Sequence, residues 1–175
     1  TCKICMTFSI IIPTYNNLSE LQRCLEAIGQ FPEKDFEVFV CVDGSTDGTL
    51  EWTRQTTFTF PLRSLTHPGN KNRGRSATRN LPLRELSGRY VLYLDSDMIP
   101  AGNLLSQHRR VVEKGNALSI GSVNYQDAGK NMWVRYTAER GDAKFRAGEQ
   151  VPFNYFITPN VAIPATWVKD LGGFD

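Results

Sequence analysis

The sequence predicts an α/β fold with a mostly parallel central sheet flanked by helices. Three observations carry that expectation. Three strongly apolar runs have the length and the β-branched or aromatic content of buried strands: Ser9-Ile10-Ile11-Ile12, Val38-Phe39-Val40-Cys41-Val42 and Tyr90-Val91-Leu92-Tyr93-Leu94. Stretches of helical periodicity separate them, which is the alternation of βαβ units. Each run also exits into a short polar segment: Pro13-Thr14-Tyr15-Asn16, Asp43-Gly44-Ser45-Thr46-Asp47 and Asp95-Ser96-Asp97. Ligands bind outside the carboxyl ends of the strands of an open parallel sheet, so three such tips predict one shared site.

The elements follow in chain order. Residues 7 to 12 read as the first strand. Asn17 and Glu20 predict a capping box, and Leu21, Cys24, Leu25 and Ile28 then recur at helical spacing, so one helix face packs on the sheet. Phe31-Pro32 ends that helix, and residues 36 to 42 form the second strand. Asp47 caps a short helix through Leu50 and Trp52. Leu62 to Thr66 make a third strand that ends in the turn-rich cluster His67-Pro68-Gly69-Asn70. A basic segment with Lys71, Arg73, Arg75 and Arg79 around Gly74 leads into a helix that Pro82 interrupts and Gly88 closes. Residues 90 to 94 form the next strand. Pro100 and Gly102 open a helix whose stripe is Leu104, Leu105, His108, Val111 and Val112. Residues 117 to 123 read as a strand, and 124 to 153, with Trp133, Tyr136 and Phe145, carry no clear pattern. Tyr155 to Ile163 read as a final strand and Ala165 to Leu171 as a short helix. There is no internal repeat and no linker, so residues 1–175 form a single domain.

The net charge of +2 is too small to argue for a nucleic-acid partner. No apolar run reaches the length of a membrane span, and the stretch at residues 8 to 12 is a strand rather than a signal peptide. Cys2 and Cys5 have metal or redox spacing, but no second close pair completes a zinc site. Cys24 falls on a helix stripe and Cys41 in a strand, so four reduced thiols of a cytoplasmic protein are expected.

Asp95 and Asp97 lie two residues apart after a strand. In an extended chain both carboxylates face one side and Ser96 the other, which suits a hard cation such as Mg²⁺ or Mn²⁺. The plainer reading is a pair of solvated acids in a turn. Asp43 sits at an equivalent tip and can accept from a base N–H or a ribose hydroxyl, whereas Asp47 serves as a cap. Pro13 fixes the exit direction of the first strand. Tyr15, beside Thr14 and Asn16, can stack on a planar base, a contact of about 1–3 kcal/mol. Arg79 suits the nucleotide or its diphosphate, because a guanidinium matches phosphate geometry. Lys71, Arg73 and Arg75 each read as a solvated face. His67, in a turn, and His108, on an apolar stripe, read as packed or paired rather than catalytic.

Taken together, these segments resemble the family-2 inverting glycosyltransferases of the GT-A fold, the Rossmann-like nucleotide-diphospho-sugar transferases. The matching pieces are Ser9 to Asn16, Val42 to Thr49, Asn72-Arg73-Gly74 with Arg79-Asn80, Leu94 to Asp97, and Gly172-Gly173-Phe174-Asp175. The resemblance implies a nucleotide-diphosphate sugar donor, usually a UDP-sugar, and a divalent metal, Mn²⁺ or Mg²⁺. It implies a carbohydrate or lipid-linked carbohydrate acceptor, as in polysaccharide biosynthesis, and no nucleic acid. Peripheral association with the inner face of the membrane goes with such an acceptor.

Carried over by position, the donor would be bound by Pro13, Thr14, Tyr15, Asn16, Asp43, Arg79, Asp95, Ser96 and Asp97. Asp97 and Asp95 would hold the metal. Residues 1–100 would form the nucleotide-binding part and 101–175 the acceptor side, where Trp133, Tyr136, Tyr155 and Phe156 are candidate sugar platforms. Two departures stand out. Thr78 precedes the Arg-Asn pair where the family usually has Ala. The family's downstream Glu-Asp pair, whose Asp is the catalytic base, lies beyond Asp175, so a C-terminal part is expected to be missing and no catalytic residue is assigned. Two alternatives compete: a nucleotide-sugar-binding module without transfer, and a phosphatase of the haloacid dehalogenase type. The second fits poorly, since Ile99 stands where that family has Thr or Val and its motif normally lies near the N-terminus.

Overall fold

β1 (Phe8–Thr14) and β2 (Phe36–Val42) are buried along nearly their whole length, as strands covered on both faces must be. They pair in parallel from Phe8↔Phe36 to Thr14↔Val42. The computed structural model describes residues 6–115, 117–124, 148–152 and 156–175. Within them β3 (Leu62–Thr66), β4 (Tyr90–Leu94), β5 (Ser119–Ile120) and β6 (Asn160–Pro164) complete a sheet of order β3-β2-β1-β4-β6-β5. β3 and β4 run parallel to their neighbours β2 and β1, while β6 is antiparallel to both β4 and β5. The expected mostly parallel sheet flanked by helices is present.

Side chains alternate across the sheet and divide the core in two. On one face Ile10, Ile12, Val38, Val40, Leu92 and Leu94 meet Leu21, Cys24, Leu25 and Ile28 of α1 (Leu18–Gly29) and Leu104, Leu105 and Val112 of α4 (Leu104–Val112). On the other, Ile11, Phe39, Cys41, Val91 and Tyr93 pack with Leu86, Val161, Ile163 and Val168, the last from α5 (Ala165–Asp170). Each such aliphatic side chain contributes about 1.5–3 kcal/mol of burial. α2 (Thr49–Gln55) and α3 (Arg75–Asn80) are short and follow the tips of β2 and β3.

Several local expectations change. The helix expected to run through Pro82 stops at Asn80. Proline offers no N–H to continue the ladder, and the chain goes on in turns closed by Leu83 N–H to Asn80 and Glu85 N–H to Pro82. Gly88 caps no helix: a Cβ there would overlap the Ser9 backbone nitrogen and the Phe8 carbonyl carbon, so glycine lets this loop cross β1 closely. The strand expected over residues 117 to 123 shrinks to Ser119–Ile120, paired among the described residues with β6, and the last strand begins at Asn160. The capping box does not form either. Asn17 is the N-cap residue of α1 but turns its side chain elsewhere, and the Glu20 carboxylate accepts from Ser19 and Arg23.

Cys24 and Cys41 are free and buried. Desolvation, with a smaller contribution from the charge of Asp97, pushes the Cys24 thiol up to about 12, and burial pushes Cys41 up as well. Cys2, Cys5, Trp133, Tyr136 and Tyr155 lie outside the described residues. Phe156 packs against the second core cluster, which favours a packing role over a sugar platform. Among the described residues, no helix is long and apolar enough to cross a membrane.

Candidate functional site

β1 has β2 on one side and β4 on the other, and the connections from β1 and β4 leave in different directions. This is the switch point at which an open α/β sheet forms a crevice. The β1–β4 ladder ends at Ile11↔Tyr93, whereas β1 stays paired with β2 as far as Thr14. Thr14 accepts from Asp43 N–H at 2.9 Å and so faces β2. Strand alternation then turns Pro13 toward the side where the ladder has already stopped, and its missing N–H costs no sheet bond.

The loops beyond these strands are tied into one rim. Asn16 N–H donates to Ser45 Oγ at 3.0 Å, and Asn16 Oδ1 accepts from Thr46 N–H at 2.8 Å. Asn16 holds a positive φ of 49°, which asparagine tolerates better than most residues. Asp47 accepts from the first N–H of α1 (Leu18, 2.9 Å) and from Thr49 N–H (3.2 Å) at the start of α2, so one carboxylate caps two helices. Burial alone would raise its pKa, and these hydrogen bonds overcome that and lower it. Asn70 Nδ2 donates to Ser45 O at 3.0 Å. Gly44, at φ 75°, lets the backbone of Asn72 approach within 2.5 Å of where a Cβ would stand.

Within this rim the residues singled out from the sequence fall into three groups. Tyr15 is 54% exposed at the tip of β1, with its ring free for a planar partner. Asp43 is only 5% exposed. Its two oxygens accept from Arg73 N–H (2.7 Å) and Gly74 N–H (3.1 Å), so it shapes the loop before α3, and His67 Nε2 lies 3.9 Å away. His67 is buried and pairs with Thr78 Oγ at 3.1 Å, in keeping with a packed role. Lys71, Arg73 and Arg75 are exposed.

On the other side of the crevice, Arg79 is 7% exposed and donates to Asp95 Oδ1 at 2.9 Å. Its Nε has no hydrogen-bond partner among the described residues. The guanidinium carbon lies 5.9 Å from the ring of Phe174, which meets Tyr93 edge-on at 5.1 Å. Asp95, Ser96 and Asp97 do not continue the strand. Met98 N–H closes a turn onto Asp95 O at 3.2 Å, so strand alternation does not place the two carboxylates as expected. Asp95 is half-buried and anchored by Arg79, Ser96 is 4% exposed, and Asp97 is exposed.

Among the described residues no cluster of three or more His, Cys, Asp or Glu side chains could hold a metal alone. Asp97, which is exposed, and the Asp95 oxygen not bonded to Arg79 are oxygen donors of the kind that suits a Mg²⁺- or Mn²⁺-type ion, which takes its remaining ligands from a phosphate and water. Sequence reasoning missed the parts that brace the site: Asn17, His67, Thr78, and the contact of Asn80 with the Phe174 backbone. The sequence did mark Asn17 as half of a capping box, His67 as packed or paired, Thr78 as a departure from the family's Ala, and Asn80 and Phe174 within the phrases Arg79-Asn80 and Gly173-Phe174, but the tertiary contacts themselves left no signal.

The profile of Glycosyl transferase family 2 matches residues 9–166. Glycosyltransferase GlyA of Streptococcus pneumoniae is 30% identical over 154 residues, covering 87% of this chain and 21% of that protein. Among solved structures, S. aureus TarS 1–349 in complex with UDP-GlcNAc matches with a TM-score of 0.67 at 22% identity, over 95% of this chain and 47% of that one. The mannosyltransferase PcManGT from Pyrobaculum calidifontis, in complex with GDP-Man and Mn²⁺, matches with a TM-score of 0.71 at 23% identity, over 96% of this chain and 47% of that one. The chain thus spans about a fifth of GlyA and about half of each structural neighbour.

Proposed function

The chain belongs to glycosyl transferase family 2, and from that premise we propose that it carries the donor half of a transferase. The reaction moves a sugar from a nucleotide-diphosphate sugar, a UDP-sugar in the first instance, to an acceptor hydroxyl with inversion. One observation carries the reading: the tips of β1, β2 and β4 are hydrogen-bonded into a single rim, with exposed Tyr15 on one side and exposed Asp97 on the other. The ligands named for the structural neighbours, UDP-GlcNAc and GDP-Man with Mn²⁺, support the same class of donor.

Each residue then has a task. Tyr15 stacks on the base. Asp43, already holding Arg73 and Gly74, directs its remaining lone pairs at a base N–H. Arg79 is fixed in direction by Asp95 and turns its unpartnered Nε–H to the ribose or diphosphate. Asp97, with the oxygen of Asp95 not bonded to Arg79, would hold a divalent cation. When bound, such a cation neutralises the charge that builds on the leaving group. The acceptor hydroxyl, on a carbohydrate or lipid-linked carbohydrate, approaches from the face opposite the diphosphate and gives its proton to a carboxylate base. A single displacement of that kind inverts the anomeric centre. No observation favours the phosphatase alternative.

Isothermal titration of UDP and GDP, each with and without Mn²⁺, tests this reading. Metal-dependent binding of one of them is expected, and Asp97→Asn removes it while the melting temperature stays put. Unchanged affinity in that variant would take Asp97 out of the site, and absence of binding by the wild type would refute the donor reading itself. A thermal-shift panel of nucleotide-diphosphate sugars then identifies the donor, since stabilisation grows with ligand concentration over its Kd.

A further inference from the structure

Asparagine at the N-cap of a helix ordinarily accepts from the helix's own free N–H groups. Asn17 occupies that position on α1, and its backbone carbonyl accepts from Leu21 N–H at 3.1 Å, yet its side chain makes no cap bond. Asp47 caps the helix instead, through Leu18 N–H. The Asn17 amide is thereby released for another use. Its Oδ1 accepts from the Thr14 hydroxyl, and its Nδ2 donates to Ser96 Oγ at 2.6 Å, 79 residues away.

That second bond crosses the crevice. The β1–β4 ladder ends at Ile11↔Tyr93. Beyond it β1 is held by β2 as far as Thr14, and β4 is held by β6 as far as Leu94. The two tips therefore diverge, each anchored to its own neighbour. Asn17 joins them again above the point of divergence. Its partner Ser96 lies between the two candidate metal carboxylates, in a turn also held by Pro159 O, which accepts from Asp95 N–H at 3.0 Å, and by Arg79. The Ser96 hydroxyl, nearly inaccessible and already engaged, is poorly placed to serve a ligand directly.

We infer that Asn17 and Ser96 are positioning residues that set the width of the donor crevice. They hold the Tyr15 loop at a fixed reach from the Asp95–Asp97 turn, so that one nucleotide diphosphate meets its base contacts and its phosphate contacts together. Ser96 thus moves from the donor-binding set into the frame. The inference rests on the donor reading of the same site. Its physical content is preorganisation: without the link, the binding of a ligand that spans both sides must itself bring the two tips into register.

The test compares a ligand that spans the crevice with one that does not. Ser96→Ala and Asn17→Ala should each weaken binding of UDP with Mn²⁺ about three- to tenfold, the range of one net hydrogen bond. The affinity for uridine, which lacks the diphosphate, should shift by less than about twofold. The double variant should lose no more than either single one, because both remove the same link. Ser96→Thr, which keeps the hydroxyl, should recover most of the affinity lost in Ser96→Ala. Should Ser96→Ala fail to fold, Asn17→Ala at the half-buried start of α1 carries the comparison. Equal losses for uridine and UDP, or losses that add in the double variant, would overturn the inference while leaving the donor reading intact. A wild-type protein that binds no nucleotide diphosphate would overturn both.

Discussion

Asn80 and Phe174 are 94 residues apart and joined by a reciprocal pair of hydrogen bonds. Asn80 Nδ2 donates to Phe174 O at 2.7 Å, and Phe174 N–H donates to Asn80 Oδ1 at 2.9 Å. The pair sets the Phe174 ring against Tyr93 and beside the Arg79 guanidinium, so the segment after α5 braces the cation at the crevice. Asn80→Ala removes both bonds and should cost about 1–3 kcal/mol in urea denaturation. Because Arg79 loses its brace, UDP–Mn²⁺ affinity should fall in the same variant. A variant that loses stability and keeps full affinity would show that the Phe174 segment does not reach the donor side.

Thr78 is where the chain departs from its family's usual Ala, and the structure gives the departure a partner. Its hydroxyl lies 3.1 Å from His67 Nε2, which in turn stands 3.9 Å from Asp43 Oδ1. The tip of β3, the start of α3 and the carboxylate that shapes the 72–74 loop therefore meet at one buried point. Thr78→Ala should lower stability by about 1 kcal/mol, the worth of one net hydrogen bond. Thr78→Ser keeps the hydroxyl and should restore most of that loss. The comparison is a thermal or urea melt of the three proteins under one buffer.

The sheet could be read from sequence because β1, β2 and β4 are covered on both faces, and such strands are written as unbroken apolar runs. Their exits were legible for the same reason, which led to the expectation that Tyr15, Asp43 and the Asp95/Asp97 couple share one rim. What sequence reasoning could not supply is which of these side chains is already in use. Asp43 and Ser96 look like free ligands in a string of letters, but each Asp43 oxygen already accepts one backbone N–H, from Arg73 or Gly74, which leaves only its remaining lone pairs, and the Ser96 hydroxyl is taken by Asn17. Asn17 was misread because capping is a local preference, and here a tertiary hydrogen bond and the borrowed cap from Asp47 outweigh it. The Asp95–Asp97 turn was misread as extended because the closing bond from Met98 leaves no mark in the apolar pattern.

Gly88 offers a test of packing away from the site. The loop crosses β1 so closely that a methyl group would overlap backbone atoms of Phe8 and Ser9, and Gly88 N–H donates to Ser9 Oγ at 2.9 Å. Backbone cannot swing aside as a long side chain can. Gly88→Ala should therefore destabilise the fold by about 2–4 kcal/mol, well above the usual cost of a surface change. Expression yield and the urea midpoint report it directly, and a neutral result would mean that the loop stands off from β1.

Acid sensitivity should come in two stages, and His108 should govern the first. Its ring is 2% exposed, with Nδ1 2.9 Å from Ser119 Oγ and Nε2 2.8 Å from Asn160 Oδ1. Desolvation lowers its pKa, a trend that the Asn160 bond only partly offsets. The unfolded chain, with an ordinary imidazole near about 6.5, then takes up a proton more readily than the folded one. Stability is thus complete above that pH and is lost as the pH falls toward the depressed folded value. The carboxylates of Asp35, Glu37 and Asp47 add a second stage at lower pH. Burial would raise each of them, but hydrogen bonds, joined at Asp35 and Glu37 by a nearby arginine, hold all three low. Their contribution is present above about 4 and is lost as the pH drops through their folded values. Urea melts from pH 7.5 down to pH 3 should show both slopes. Replacing the imidazole in His108→Gln should lower stability at neutral pH and erase the first slope while leaving the second. A first slope that survives in this variant would assign the proton uptake to another group.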